Sequence, residues 1–326
     1  PQKRLELMSL SIAPCHSKLH SNIFFKGGLV KKLFLILFVL FFIVVTNAFA
    51  KDISLDAVSF HPAADGSGFK GLWQSSVLQN DHWIFGSDLS YAYRPFQLMN
   101  NGNRQDGIVD QMISQHFFAS VGLIDQKFEL GIELPIVWYA DYKNPNVAGS
   151  VFESESGLGD ARLNFKLCLW NPENHKLGIA WVPYITLPTG DSDHFLGSGV
   201  VALGNLLVID GNISDKFSFN INAGILARDV FYFRDIEKTH QLLGGLGLAY
   251  EFTEKLTARL ETNIKTRLSG LFEESVESPV EAMASLAYRW KDTGFLLNAG
   301  VGTGIVYGSE APLFRGVLGL TYEGAK

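Results

Sequence analysis

From residue 157 to residue 191 apolar and polar side chains alternate with a period of two. Ala161, Leu163, Phe165, Leu167 and Leu169 share one face, and Asp160, Arg162, Asn164, Lys166 and Cys168 share the other. After the short stretch NPENHK the alternation resumes, with Leu177, Ile179, Trp181, Ile185 and Leu187 against Lys176, Gly178, Ala180, Tyr184 and Thr186. Successive side chains of a strand point to opposite faces of its sheet, so the stretch predicts a β-hairpin with one apolar and one polar face.

The same pattern recurs along the chain. Trp83, Phe85, Leu89 and Tyr91 oppose Gly86, Asp88 and Ser90, and Ile113, Phe117, Ala119 and Val121 oppose Asp110, Ser114, His116 and Ser120. Residues 126–139 are the cleanest case, with Phe128, Leu130, Ile132, Leu134, Ile136 and Trp138 against Glu129, Gly131 and Glu133. Further strands are predicted near 216–228, 240–252, 254–268, 279–290, 294–306 and 312–322. The stretch near 200–210 (VVALGNLLVID) is counted as a strand, and its faces cannot be assigned. In the assignable strands the apolar face carries no charge, and Gln111 and Gln115 are its most polar members.

Ahead of these strands Lys31 and Lys32 precede the apolar run 33–45 and then TNAFA, which has the three parts of a secretory signal cleaved after Ala50. The apolar run is shorter than the roughly 20 residues that a spanning helix needs. Residues 1–28 do not fit the short n-region of such a signal, which suggests a true start near Leu29 or Val30. Export makes lipid the natural neighbour of the charge-free faces. A Lys or Arg on the lipid face of a barrel costs roughly 2–4 kcal/mol at the bilayer midplane, and closure satisfies every backbone group without water. The predicted fold is therefore all-β: a transmembrane antiparallel up-and-down β-barrel of about twelve strands, in the outer membrane of a Gram-negative-type bacterium. Residues 1–50 are leader and signal, 51–80 an N-terminal periplasmic or plug segment left out of the wall, and 81–326 the barrel. Short connections near 123–126, 170–175, 210–216, 252–255 and 290–294 mark the periplasmic side, and longer polar ones near 95–107, 140–156, 188–199, 229–238, 268–279 and 306–312 the outside.

Composition adds two exclusions. A net charge of −6 without a basic run in the strands argues against a nucleic-acid partner. Cys168 is the one cysteine beyond the signal, which excludes an internal disulfide framework. The partners implied are outer-membrane lipid, periplasmic chaperones, the barrel-assembly machinery and small solutes.

The stretches FHPAADGSGF (60–69), GLGDARL (157–163), LPTGDSDHFLG (187–197), SPVEAMASLAYRW (278–290) and GVGTGIVYGSEAPLFRGVLGLTY (300–322) resemble the N-terminal barrel domain of OmpA-family and transporter-like outer-membrane proteins. The resemblance spans about 60–322 and implies a barrel with no catalytic residues. Peptidoglycan anchoring is not carried over, because the sequence in hand stops four residues after Tyr322.

Candidate chemistry is sparse. GLGDARL lacks the GxGxxG spacing and sits on a strand, so it does not read as a nucleotide loop. Asp191, Asp193 and His194 have the spacing of a loop cation site, though a solvated outer loop explains them more simply. His116 has no Ser or Asp partner at a telling spacing, and the chain contains no His-x-Ser anywhere, so a barrel phospholipase is not supported. No cofactor, metal or enzymatic activity is expected. The candidate site is a lumen charge network of Glu129, Glu133, Arg162, Lys166, Arg259, Glu261, Lys265 and Arg267. In a twelve-strand ring the third and ninth strands face each other, so Glu129 and Glu133 should oppose Arg259, Lys265 and Arg267 across the interior. Two readings stay open: a porin-like channel or small-solute transporter, and a structural or surface-interaction barrel with a closed lumen. Either way, the protein should fractionate with outer membranes and run faster on gels before boiling than after. Recovery as a soluble periplasmic monomer would refute the barrel.

Overall fold

The computed structural model describes residues 55–66, 68–100, 103–124, 126–142, 154–171, 176–233, 236–290, 293–306, 308 and 310–325. The leader and signal segment lies outside these residues, as does most of the 140–156 connection. The described chain is almost entirely strand: β1 (His82–Asn100), β2 (Asn103–Ile124), β3 (Phe128–Tyr142), β4 (Ser154–Leu158), β5 (Ala161–Trp170), β6 (Leu177–Leu187), β7 (Ala202–Ser214) and β8 (Phe217–Arg228) come first. A small separate hairpin, β9 (Phe231–Phe233) with β10 (Ile236–Lys238), follows. Then come β11 (Gln241–Thr253), β12 (Leu256–Arg267), β13 (Val280–Arg289), β14 (Phe295–Val306) and β15 (Phe314–Ala325).

Each wall strand pairs antiparallel with its neighbours in chain order, and β15 pairs with β1 from His82↔Ala325 to Tyr93↔Phe314. The sheet is therefore closed, with no free edge. β4 and β5 occupy one wall position. β5 pairs with β3 up to Glu133↔Arg162, and β4 takes over from Ile136↔Leu158. The break falls where Pro135 has no N–H to give; the amide of Gly159 instead donates to the Pro135 carbonyl at 2.9 Å. Counting β4 and β5 once makes a twelve-strand barrel.

The faces follow the sequence period. Leu246, Leu260 and Leu318 point outward and are more than half exposed, whereas His116 and Glu133 point inward and are 0 % exposed. The two outward glutamines are not left bare: Trp138 donates to Gln115 at 3.0 Å and Tyr91 to Gln111 at 3.3 Å. β7 also acquires a direction. Leu203 and Leu207 face out, while Val208 packs inside with Trp73, Ala180 and Val182. Its faces are indistinguishable in sequence because the lumen itself is apolar at this point.

One expectation is corrected. The polar stretch 96–107 is not a long loop, since β1 and β2 run on to pair Asn100 with Asn103. Register shifts after Tyr93 break the alternation there, as a β-bulge does. The connections 124–128, 215–216 and 254–255 are tight and share one end of the barrel with the start of β1. The longer connections share the other. With Cys168→Ser as background, a cysteine at Leu271 should be labelled from outside intact cells, and one at Asp215 should not. The opposite pattern would invert the orientation.

Candidate lumen site

Residues 55–80 contain no regular strand or helix, yet most of them are buried. Residues 71–78, which could pass for a short strand in sequence, add nothing to the wall. They coil inside the barrel. A backbone without secondary structure has unpaired N–H and C=O groups, and burying them without partners is costly. Here the inward side chains of the wall supply the partners. Glu261 accepts from the amides of Lys70 (3.0 Å) and Gly71 (3.1 Å), Asp210 from Ser75 (2.6 Å), and Glu129 from Leu78 (3.1 Å). Asn222 accepts from the Trp73 amide at 2.9 Å, and its own amide group donates to the Trp73 carbonyl at 3.0 Å. Toward the loop end the Ala57 amide donates to the Phe195 carbonyl at 2.9 Å, and Leu55, Ala57 and Val58 pack with Phe96, Ile108 and Leu196.

The wall also makes room for the segment. A side chain at Gly245 or Gly247 would overlap Leu72 or Phe69, and one at Gly122 would overlap the carbonyls of Leu78 and Gln79. These small positions on the inner face of the strands mark where the segment's backbone and the side chains of Phe69 and Leu72 lie against the sheet.

The eight predicted charges all point inward, but they form local groups rather than one network. Glu133 receives His61 and His116, each Nδ1 lying 3.0 Å from its Oε1. Lys166 lies 3.4 Å from Glu129 and 3.7 Å from Asp65, over the Trp73 ring. Glu261 holds the backbone at Lys70, whose ammonium pairs with Asp88 at 2.8 Å. Arg259 lies over the Phe69 ring. Lys265 bonds Glu310 at 3.1 Å, and Arg267 joins Glu237 at 2.6 Å and Glu277 at 3.2 Å near the loop end. Arg162 stacks on Tyr184 at 4.5 Å, and its Nε donates to Thr186. The strands β3 and β12 do stand six places apart in the ring. An acidic wall does not simply face a basic one across open space, however, because the segment lies between them and engages Glu129, Glu133, Glu261 and Lys265 at close range. Outside the strands, burial raises the Glu310 carboxyl, but Lys238 and Lys265 more than offset this and hold it below its ordinary range.

The structure adds residues that pattern reading passed over. Asp65, His61 and Lys70 from the segment complete the pairs, and Asp210 joins the wall's set of acceptors, to which the inward-facing Asp88 also belongs. Ser114 is bonded to His116 Nε2 at 3.1 Å, so Ser114, His116 and Glu133 form a hydrogen-bonded line. The signal was present as Ser-x-His, two positions apart on one strand face, in the order opposite to His-x-Ser. All three belong to β2 and β3 of the wall; Ser114 is buried, the Phe60 ring of the segment lies edge-on to His116 at 5.3 Å, and His61 ties the segment to the same Glu133. His61, His116 and Glu133 also bring three ligand-type atoms within 4.8 Å, and the two histidine–carboxylate hydrogen bonds account for that closeness. The motif residue Asp160 accepts from the amides of Gly190 and Ser198, which ties GLGDARL to LPTGDSDHFLG. Asp191 accepts from the Asp193 amide and bonds His194 within the same turn.

Between segment and wall lies a cavity of about 140 Å³. Phe60, Leu72, Trp73, Leu206, Leu226 and Leu243 give it apolar sides, and Arg162 and Asn222 are among its polar groups.

The model of the family described as "Putative MetA-pathway of phenol degradation" matches residues 115–304, more than half of the chain. The chain belongs to this family. The glycine-rich motifs had pointed to OmpA-type barrels, and that finer resemblance is corrected here. No curated protein matches the chain by sequence. Among solved structures, an outer membrane channel from Pseudomonas putida F1 is similar with a TM-score of 0.62 and 12 % identity, covering 77 % of this chain and 98 % of that one. The KdgM porin has a TM-score of 0.45 at 12 % identity, covering 73 % and 98 %. The Pseudomonas putida toluene transporter TodX has a TM-score of 0.41 at 9 % identity, covering 84 % and 98 %. The first likeness shows that this family member has the fold of an outer-membrane β-barrel.

Replacing Glu261 with Ala removes the acceptor of two backbone amides, and a buried donor left unpaired costs roughly 1–3 kcal/mol. Glu261→Ala should therefore lower the urea midpoint of the barrel clearly. Glu323→Ala, at a half-exposed ion pair near the turn end, should leave it almost unchanged. Equal shifts would mean that the segment contributes nothing to stability.

Proposed function

We propose that the protein is an outer-membrane channel for small solutes, exported by a signal cleaved after Ala50 and inserted by the barrel-assembly machinery with periplasmic chaperones. In the resting state the segment 55–80 closes the lumen, and solutes pass when it shifts. The observation that carries this reading is the cavity between segment and wall, a solute-sized space inside a closed barrel. An interior apolar cavity of about 150 Å³ is known to accept a benzene ring, so one small ring suits this space. The family's description refers to phenol degradation, and the similar Pseudomonas putida chain is described as a channel; both support a small-solute route.

A second reading, a structural barrel that never opens, is favoured by the number of bonds from the wall to the segment. Planar-bilayer recordings separate the two. Deleting 55–78 should raise single-channel conductance several-fold, and a Ser75→Cys, Asp210→Cys pair should conduct less when oxidised than when reduced. Ser75 and Asp210 are already hydrogen-bonded neighbours. A deletion variant that inserts normally and conducts nothing would favour the closed structural barrel.

A further inference from the structure

We infer that the lumen cavity takes a single-ring aromatic monoanion, such as an aromatic carboxylate, with Arg162 as the group that holds its charge. This rests on the channel reading and adds the chemical class of the solute. The first observation is shape and composition. The cavity is about the size that accepts one benzene ring, and Phe60, Trp73, Leu226 and Leu243 line it.

The second observation is the state of its charges. Glu281 is occupied by Arg315, with contacts of 2.6 and 3.2 Å. Glu310 is occupied by Lys238 and Lys265. Glu133, directly across the strand pair from Arg162, is occupied by His61 and His116. Arg162 differs from these groups. Its ring-like plane rests on Tyr184 and its Nε reaches Thr186 at 3.4 Å; among the described residues Glu133 across the strand pair is an acidic neighbour that feels its charge, and no carboxylate is in direct ion-pair contact with it.

A guanidinium fixed by stacking offers its outer N–H groups in a planar fork, which matches a carboxylate in bidentate fashion. In a space with apolar sides such a bond is stronger than in water, because fewer water molecules compete for it. A neutral ring would fill the apolar volume and offer Arg162 no carboxylate in direct contact. An anionic ring satisfies both features at once.

The test is isothermal titration of the purified barrel in detergent with benzoate and with benzyl alcohol, a neutral ring of similar size. Wild type should bind benzoate at least tenfold more tightly than benzyl alcohol. Arg162→Gln should weaken benzoate at least tenfold and change benzyl alcohol less than threefold. Arg162→Lys keeps the charge and loses the fork, so it should weaken benzoate at least threefold; it serves as the deciding variant if the glutamine form does not give a heat-modifiable barrel. Equal binding of the two probes by wild type, or benzoate binding untouched in the folded variants, would overturn the inference. Flux through proteoliposomes keeps the two proposals apart. If both probes cross but bind equally, the anion site fails and the channel stands. If benzoate binds through Arg162 and neither probe crosses, the channel reading fails and the site stands.

Discussion

The structure depends on a reciprocal exchange of hydrogen bonds inside a closed wall. Residues 55–80 bring buried backbone amides that no strand or helix satisfies, and the wall brings carboxylates that need donors. Either set alone would be costly: a buried amide without an acceptor, or a buried carboxylate without a partner. Glu261, Asp210 and Glu129 solve both problems by accepting from the segment. The barrel's outer face obeys the opposite requirement, presenting aliphatic and aromatic side chains where no polar partner exists.

This exchange explains why the interior is both charged and filled. Lys166 is 1 % exposed and sits between Glu129, Asp65 and the Trp73 ring, so its ammonium lies among two carboxylates and a π-face. His61 and His116 converge on one carboxylate oxygen, joining a segment residue to two neighbouring strands. The small residues at Gly122, Gly245 and Gly247 are the steric side of the same arrangement, because any side chain there would displace the segment that the carboxylates hold.

Function follows from what the filling leaves over. The segment does not occupy the whole lumen. It leaves a cavity beside Trp73 and Leu72, with one cation, Arg162, not held by a carboxylate. In the proposed channel, opening would shift one short piece of chain held by many moderate bonds rather than by a covalent link, without disturbing the wall's own ladder. The conformational change that a channel needs is then local, confined to residues that contribute nothing to the strand pairing.

The sequence by itself determined the wall. Period-two alternation with charge-free outward faces is a local property, and it located the strands, their faces and the twelve-position ring, with β3 and β12 opposed. It also placed Glu129, Glu133, Arg162, Lys166, Arg259, Glu261, Lys265 and Arg267 on the inner side, since facing is decided residue by residue. Only the tertiary structure decided their partners. Lys70 meets Glu261 across 191 positions and Ser75 meets Asp210 across 135, and nothing in the local pattern of 55–80 announces acceptors so far away. β7 was ambiguous for the same reason: Val208 faces inward against Trp73, so an apolar lumen erased the contrast that alternation relies on. The length of β1 and β2 was missed because bulges shift the phase of the alternation. Facing is set by backbone geometry within a few residues, whereas pairing is set by which distant groups the closed barrel brings together.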